Sequence, residues 1–175
     1  ELMPLDVALE TLKGRIGPVT GTESVPLREA LGRILAEDII SPRDVPPHDN
    51  SAVDGYAVFF DDLAADAETR LPVTGRVAAG HPLDRPARHG EAVRIFTGAP
   101  MPDGLDTIFM EEDCQAADDV VVLPCGLKQG ANRRLRAEDV ASGAIIIRSG
   151  KRLRAQEIGL AASVGRAELK VFSRL

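Results

Sequence analysis

The sequence predicts a mainly β protein with some helix, an α+β chain in which a β-rich insert interrupts a mixed outer part. Three observations carry that expectation. Between about residues 41 and 139, short runs of β-branched and apolar residues alternate with Gly- and Pro-containing loops, the pattern of a small sandwich or barrel-like unit. Apolar residues recur at helical spacing chiefly near the two ends of the chain. With 175 residues, 44% hydrophobic and 27% charged, the chain has the make-up of a globular protein with one medium core or two small ones.

Leu5, Leu9, Leu12 and Ile16 follow a helical period, so residues 5–16 read as an amphipathic helix ending near Gly17-Pro18. Ser24 is placed to cap a short second helix, with Pro26 in its first turn and Gly32 after its end. Residues 34–40 then read as a strand. Further strands are expected at 55–59, 71–77, 92–96, 107–111 and 120–123, with a helical turn within 61–67. After the insert, 144–147 reads as a buried strand, 156–164 as a helix stopped by Gly165, and 168–172 as a last strand. The chain thereby divides into a discontinuous outer domain, about 1–44 and 140–175, and an inserted β domain, about 45–139.

A net charge of −6 argues against a general nucleic-acid surface, and 3% aromatic residues with no Trp argue against a base-stacking platform. The charge is uneven. Residues 128–154 hold eight basic side chains against Glu138 and Asp139, so that segment carries +6 and the rest −12. Such a patch suits a phosphate or oxyanion; a solvated face whose arginines pair with the acidic surplus elsewhere is the plainer reading. No apolar run approaches the ~20 residues that span a bilayer, which argues against a membrane protein, and the acidic start is unlike a signal peptide. Cys114 and Cys125 lack CxxC spacing and read as two reduced thiols in a cytoplasmic protein. His48, His81 and His89 are scattered, without metal-ligand spacing.

The chemistry-bearing residues concentrate in PPHDNSAVDGYAV, residues 46–58. Asp49, Asn50, Ser51 and Asp54 place two carboxylates, an amide and a hydroxyl within six residues. Pro46-Pro47 restricts the entry, and Gly55 is expected to supply the positive φ of a tight turn into the next strand. A preorganised polar loop at a strand edge suits binding or catalysis; an Asx-turn capping local donors is the plainer alternative. TGAPMPDG, residues 97–104, offers the Thr97 hydroxyl beside two glycines, as a site or as a hairpin connection, with spacing that is not a P-loop's. Glu138-Asp139, next to Arg133, Arg134 and Arg136, can set a metal or general base near an anion, or form an internal salt-bridge network. Asp49 and Asp54 do not make an EF-hand, because no downstream Glu completes the loop.

Four segments in order carry a resemblance: VPLREALGRILAEDIISP at 25–42, PPHDNSAVDGYAV at 46–58, RIFTGAPMPDG at 94–104 and RRLRAEDV at 133–140. The second contains a DNSAxDGYA signature, and the chain resembles the molybdopterin molybdenumtransferase family of the MoeA type, whose eukaryotic relative is the gephyrin E region. The resemblance covers nearly the whole chain. It implies the family's first two domains, a set of bent and bifurcated sheets with an inserted small β domain. It also implies an enzyme that hydrolyses adenylated molybdopterin and inserts molybdenum from molybdate into its dithiolene. Mg2+ or another divalent cation assists, in an intersubunit cleft of a cytoplasmic homodimer. The molybdopterin adenylyltransferase is an implied partner.

By motif, Asp54, Thr97 and Asp139 match positions of functional importance in that family and are the expected catalytic residues; Arg133 and Glu138 neighbour them and, with Asn50 and Ser51, are expected to bind substrate or anion. The resemblance leaves the metal ligands open. The sequence departs from the family by stopping at Leu175, before the α/β domain and the small β domain that would complete the cleft. This portion alone is therefore expected to be inactive. The competing expectation is a non-catalytic module for dimerisation, partner docking or anion binding.

Overall fold

The computed structural model describes residues 3–174. In chain order its elements are α1 (Leu5–Arg15), β1 (Thr22–Pro26), β2 (Ile39–Ile40), β3 (Asn50–Ser51), β4 (Gly55–Val58), β5 (Thr69–Val77), β6 (Ala92–Ile95), β7 (Thr107–Met110), β8 (Gln115–Ala117), β9 (Val120–Leu123), β10 (Arg133–Arg134), β11 (Ile145–Ile147), α2 (Ala155–Ser163) and β12 (Glu168–Phe172). The protein is mostly β with two helices. Its chain divides into two compact units, one of Glu1–Pro42 with Gly143–Leu175 and one of Arg43–Ser142.

The second unit is built on a mixed six-stranded sheet in the order β7-β4-β6-β5-β9-β8, antiparallel except for the β5–β6 pair. Ala57, Val93, Ile95 and Ile108 belong to one buried cluster, while their chain neighbours Val58, Ala92 and Phe109 belong to another. That is the two-residue alternation of strands buried on both faces, and it accounts for adjacent apolar residues such as Ala92-Val93 in β6 and Ile108-Phe109 in β7. Joining parallel strands takes a long connection, here residues 78–91. Glu91, buried at its end, accepts both guanidinium arms of Arg85 at 2.7 and 3.0 Å, the Thr74 hydroxyl at 2.5 Å and the Arg88 N–H at 2.8 Å. Arg85 above all holds the Glu91 carboxyl at about 2.

In the first unit β1 pairs antiparallel with β12, and β2 with β11. Val25, Leu35, Ile39, Ile147, Leu153 and Leu169 form its core, with Ala161 of α2 packed in. Glu157 opens α2 by accepting the Arg154 N–H at 2.9 Å and its guanidinium at 2.6 and 3.0 Å, so four-residue helical pairing begins with its first donor satisfied.

Some expectations need correction. The helix expected from Ser24 does not form: residues 22–26 pair with 168–172, leaving a single 3-10 turn, Leu27–Glu29, before Gly32 at φ 77°. Non-local pairing overrides the local start signals there. Residues 34–40 are not one strand, since Ile34 and Leu35 make isolated bridges to Arg152 and Val171 and β2 begins only at Ile39. The turn expected within 61–67 is a 3-10 turn at Phe60–Asp62. α1 forms, but its apolar stripe stays out of the core: Leu5, Leu9, Leu12 and Ile16 are 47–75% exposed.

Candidate functional site

Three of the four sequence segments lie side by side in the second unit. Residues 49–54 run antiparallel to 97–101. Asp49 O accepts the Met101 N–H at 2.9 Å, the Ser51 N–H donates to Ala99 O at 3.0 Å, and Ser51 O accepts the Gly98 N–H at 2.8 Å. On its other side β3 pairs with β10, Ser51 opposite Arg133 and Asn50 opposite Arg134. The Ala52 N–H extends that edge by donating to Asn132 O at 2.9 Å.

At one end of this strip Asp54 meets Thr97. Asp54 Oδ1 accepts the Thr97 N–H and the Thr97 hydroxyl, each at 2.7 Å. These bonds, the backbone one foremost, lower the Asp54 carboxyl below its ordinary value, and the nearby Arg94 charge adds to the effect. Among the described residues no donor meets Oδ2 within hydrogen-bond distance, which leaves that oxygen as an acceptor for water or ligand. Gly55 does not take the positive φ expected of it. It sits between Ile95 and Met110, where a Cβ would lie 1.7 Å from the Phe109 carbonyl oxygen. Close backbone approach is the reason for glycine here. Gly98 does take φ 76°, turning the chain directly after Thr97.

At the other end Asp49 Oδ1 accepts the Arg136 N–H at 2.7 Å, and Oδ2 lies 3.7 Å from Arg133 Nε, a buried nitrogen with no hydrogen-bond partner. Asn50 and Ser51 are buried, and their side chains turn to nearby backbone. Ser51 Oγ donates to Val53 O at 2.5 Å, and Asn50 Nδ2 makes a long 3.5 Å contact with His48 O. Glu138 and Asp139 converge on Arg134, at 3.3 and 2.7 Å, and not on Arg133. Both contacts raise the Arg134 pKa, Asp139 first. Arg136 pairs with Asp44 at 2.5 Å. An open depression of about 390 Å³, lined in part by His48, Asp49, Met101, Asp103, Arg133 and Arg136, adjoins this end.

Arg94 opens the third of the four sequence segments without being among its candidate site residues, although a charged side chain inside the apolar run 92–96 is a signal that can be read. Its guanidinium donates to Gly55 O at 3.2 Å and pairs with Glu111. Among the described residues no three His, Cys, Asp or Glu side chains converge to hold a metal ion. The divalent cation implied by the resemblance does not fit these residues by themselves, because Thr97 occupies Asp54 Oδ1 and Arg134 occupies Glu138 and Asp139.

Residues 3–165 match the family model of the MoeA N-terminal region (domain I and II). The chain belongs to this family. The molybdopterin molybdenumtransferase of Haemophilus influenzae is 39% identical over 175 residues, covering 99% of this chain and 43% of that protein. The protein of the same name from Synechococcus elongatus is 37% identical over 181 residues, covering 99% and 44%. The crystal structure of the molybdopterin biosynthesis MoeA protein from Pyrococcus horikoshii OT3 matches with a TM-score of 0.84 and 34% identity, over 98% of this chain and 46% of that one. This MoeA N-terminal region thus spans less than half the length of the relatives it matches. Among the described residues no helix is long and apolar enough to cross a membrane.

Proposed function

We propose that this chain forms one wall of the active-site cleft of a molybdopterin molybdenumtransferase, with Asp54 and Thr97 at its working end. The reaction is insertion of molybdenum from molybdate into adenylated molybdopterin. The observation that supports this most is the Asp54–Thr97 pair, in which one carboxylate oxygen is fixed by two donors and the other is left to accept. A carboxyl held below its ordinary pKa works as an acceptor or base and not as an acid. Arg133 and Arg134 bring positive charge suited to an oxyanion, and Glu138 and Asp139 hold Arg134 in place. Asn50 and Ser51 shape the strand that carries them. A divalent cation would need ligands beyond these residues, and no step is assigned to it.

The same reading makes residues 1–44 with 140–175 the family's first domain and 45–139 its second. It includes a homodimer in the cytoplasm, supplied with adenylated substrate by the molybdopterin adenylyltransferase; the unpaired Cys114 and Cys125 accord with a reducing compartment.

The test is insertion by a full-length protein containing this region. Asp54→Asn and Thr97→Ala are each expected to lower turnover about 10²-fold with folding retained. Unchanged turnover in both variants would remove the assigned roles. The 175-residue chain alone is expected to show no insertion, and measurable insertion by it would refute that expectation.

One observation favours a second reading, a non-catalytic docking or dimerisation module. The α1 stripe of Leu5, Leu9, Leu12 and Ile16 is exposed and free for a partner. Loss of dimerisation in Leu9→Glu of the full-length protein, with cofactor synthesis intact, would support it.

A further inference from the structure

We infer that Arg94 is a positioning residue for the Asp54–Thr97 pair, clamping three strand ends around Asp54 so that the pair keeps its geometry. The inference takes Asp54 and Thr97 as the working end of the site proposed above.

Arg94 lies within β6 between Val93 and Ile95, both fully buried, and opposite Tyr56 of β4 and Arg76 of β5. Its side chain is only 19% exposed, so its charge and its donors need partners inside the protein. It finds them along one line across the sheet. Nη1 donates to Gly55 O at 3.2 Å, and Nη2 pairs with Glu111 in the turn after β7. The guanidinium carbon lies 5.0 Å from the Tyr56 ring centroid and 4.8 Å from that of Phe96. Arg76 also sits over Phe96, at 4.5 Å.

Each of these partners leads back to the pair. Glu111 donates its N–H to Asp54 O at 3.0 Å. Gly55 follows Asp54 in the chain, and Phe96 precedes Thr97. Gly55 has no side chain whose packing could fix the direction of Asp54, and a Cβ there would strike the Phe109 carbonyl. The clamp across β4 therefore supplies what that position lacks. The charged groups facing this end are Arg94 from β6 and Glu111 from the turn after β7, with Arg76 of β5 stacked beside them on Phe96.

Two NMR readouts on the 175-residue chain report on the pair directly. One is the titration midpoint of the Asp54 carboxyl carbon. The other is hydrogen exchange of the Thr97 amide, whose proton is bonded to Asp54 Oδ1. Arg94→Gln removes a lowering charge, so the Asp54 midpoint is expected to rise. Thr97 exchange should speed up at least about tenfold more than that of Val93 within β6. Arg94→Lys keeps the charge but cannot span Gly55 O and Glu111 together. Its Asp54 midpoint should stay low while Thr97 exchange still accelerates. Glu111→Ala leaves Arg94 without its anchor and should accelerate Thr97 alone, which keeps the test alive if Arg94→Gln does not fold. Exchange that rises evenly along β6, with the Asp54 midpoint unmoved, would overturn the inference and leave Arg94 as an ordinary sheet contact. Insertion by the full-length protein separates the two claims. Variants that disturb the pair yet insert normally refute the proposed role of Asp54 and Thr97, and not the clamp.

Discussion

A methyl group at position 55 would lie 1.7 Å from the Phe109 carbonyl oxygen and 2.8 Å from its carbon, backbone atoms of the paired strand β7 that cannot swing aside as a side chain can. Gly55→Ala is therefore expected to destabilise the fold by about 3 kcal/mol through forced separation of β4 from β7, measurable by urea denaturation. Gly98→Ala meets no atom within 4 Å, but its φ of 76° is costly for a residue with a Cβ, and about 1 kcal/mol is expected. The two substitutions should rank in that order. Sequence alone makes these glycines look alike, since each adjoins a polar residue in a loop-like stretch. Their difference lies in strand neighbours distant along the chain. For the same reason Asp54 and Thr97 were each legible as candidates, while their mutual bond, the pairing of Glu138 and Asp139 with Arg134, and the reach of Arg94 were not.

Among the elements, the connection 78–91 depends on one buried carboxylate. Glu91 has a folded value of about 2 against an ordinary 4.5, because Arg85, Thr74 and the Arg88 N–H all favour its charged form. A depressed carboxyl stabilises fully above the unfolded value and loses that contribution as pH falls through the folded one. Stability should thus decline from about pH 4.5 towards pH 2, and thermal unfolding across that range reads it. Glu91→Gln should flatten this acid limb. At neutral pH it should cost about 2 kcal/mol, below the figure for a fully buried pair because Arg85 keeps some contact with water. Elements with strong local patterns, such as β9 and β12, form over the residues expected. β3 and β10 did not announce themselves, being two residues each, polar, and held by hydrogen bonds to distant segments. The stretch 22–29 misled for the converse reason, carrying a helix's start and stop residues while β12 claims it as a strand partner.

At the scale of the whole molecule, the four segments that carry the family resemblance divide by task. Three form the strip around Asp54 and Thr97, while the first, residues 25–42, supplies Val25, Ala30, Leu35 and Ile39 to the core of the first unit. Conservative packing, and not chemistry, is the work of that segment. Leu35→Ala is accordingly expected to cost about 2–5 kcal/mol, since its side chain is fully buried. α1 is the contrasting case. Its stripe has the period of a core-facing helix, yet Leu12 is 53% exposed and none of the helix's residues is buried. Leu12→Ala should then change stability by no more than about 0.5 kcal/mol. Chemical denaturation of both variants at low protein concentration decides the matter. Two costs far apart mean that Leu12 packs against nothing in the fold, which leaves the apolar face open to a partner. Equal costs mean that the stripe is already packed in solution, and the docking reading loses the one observation that favours it.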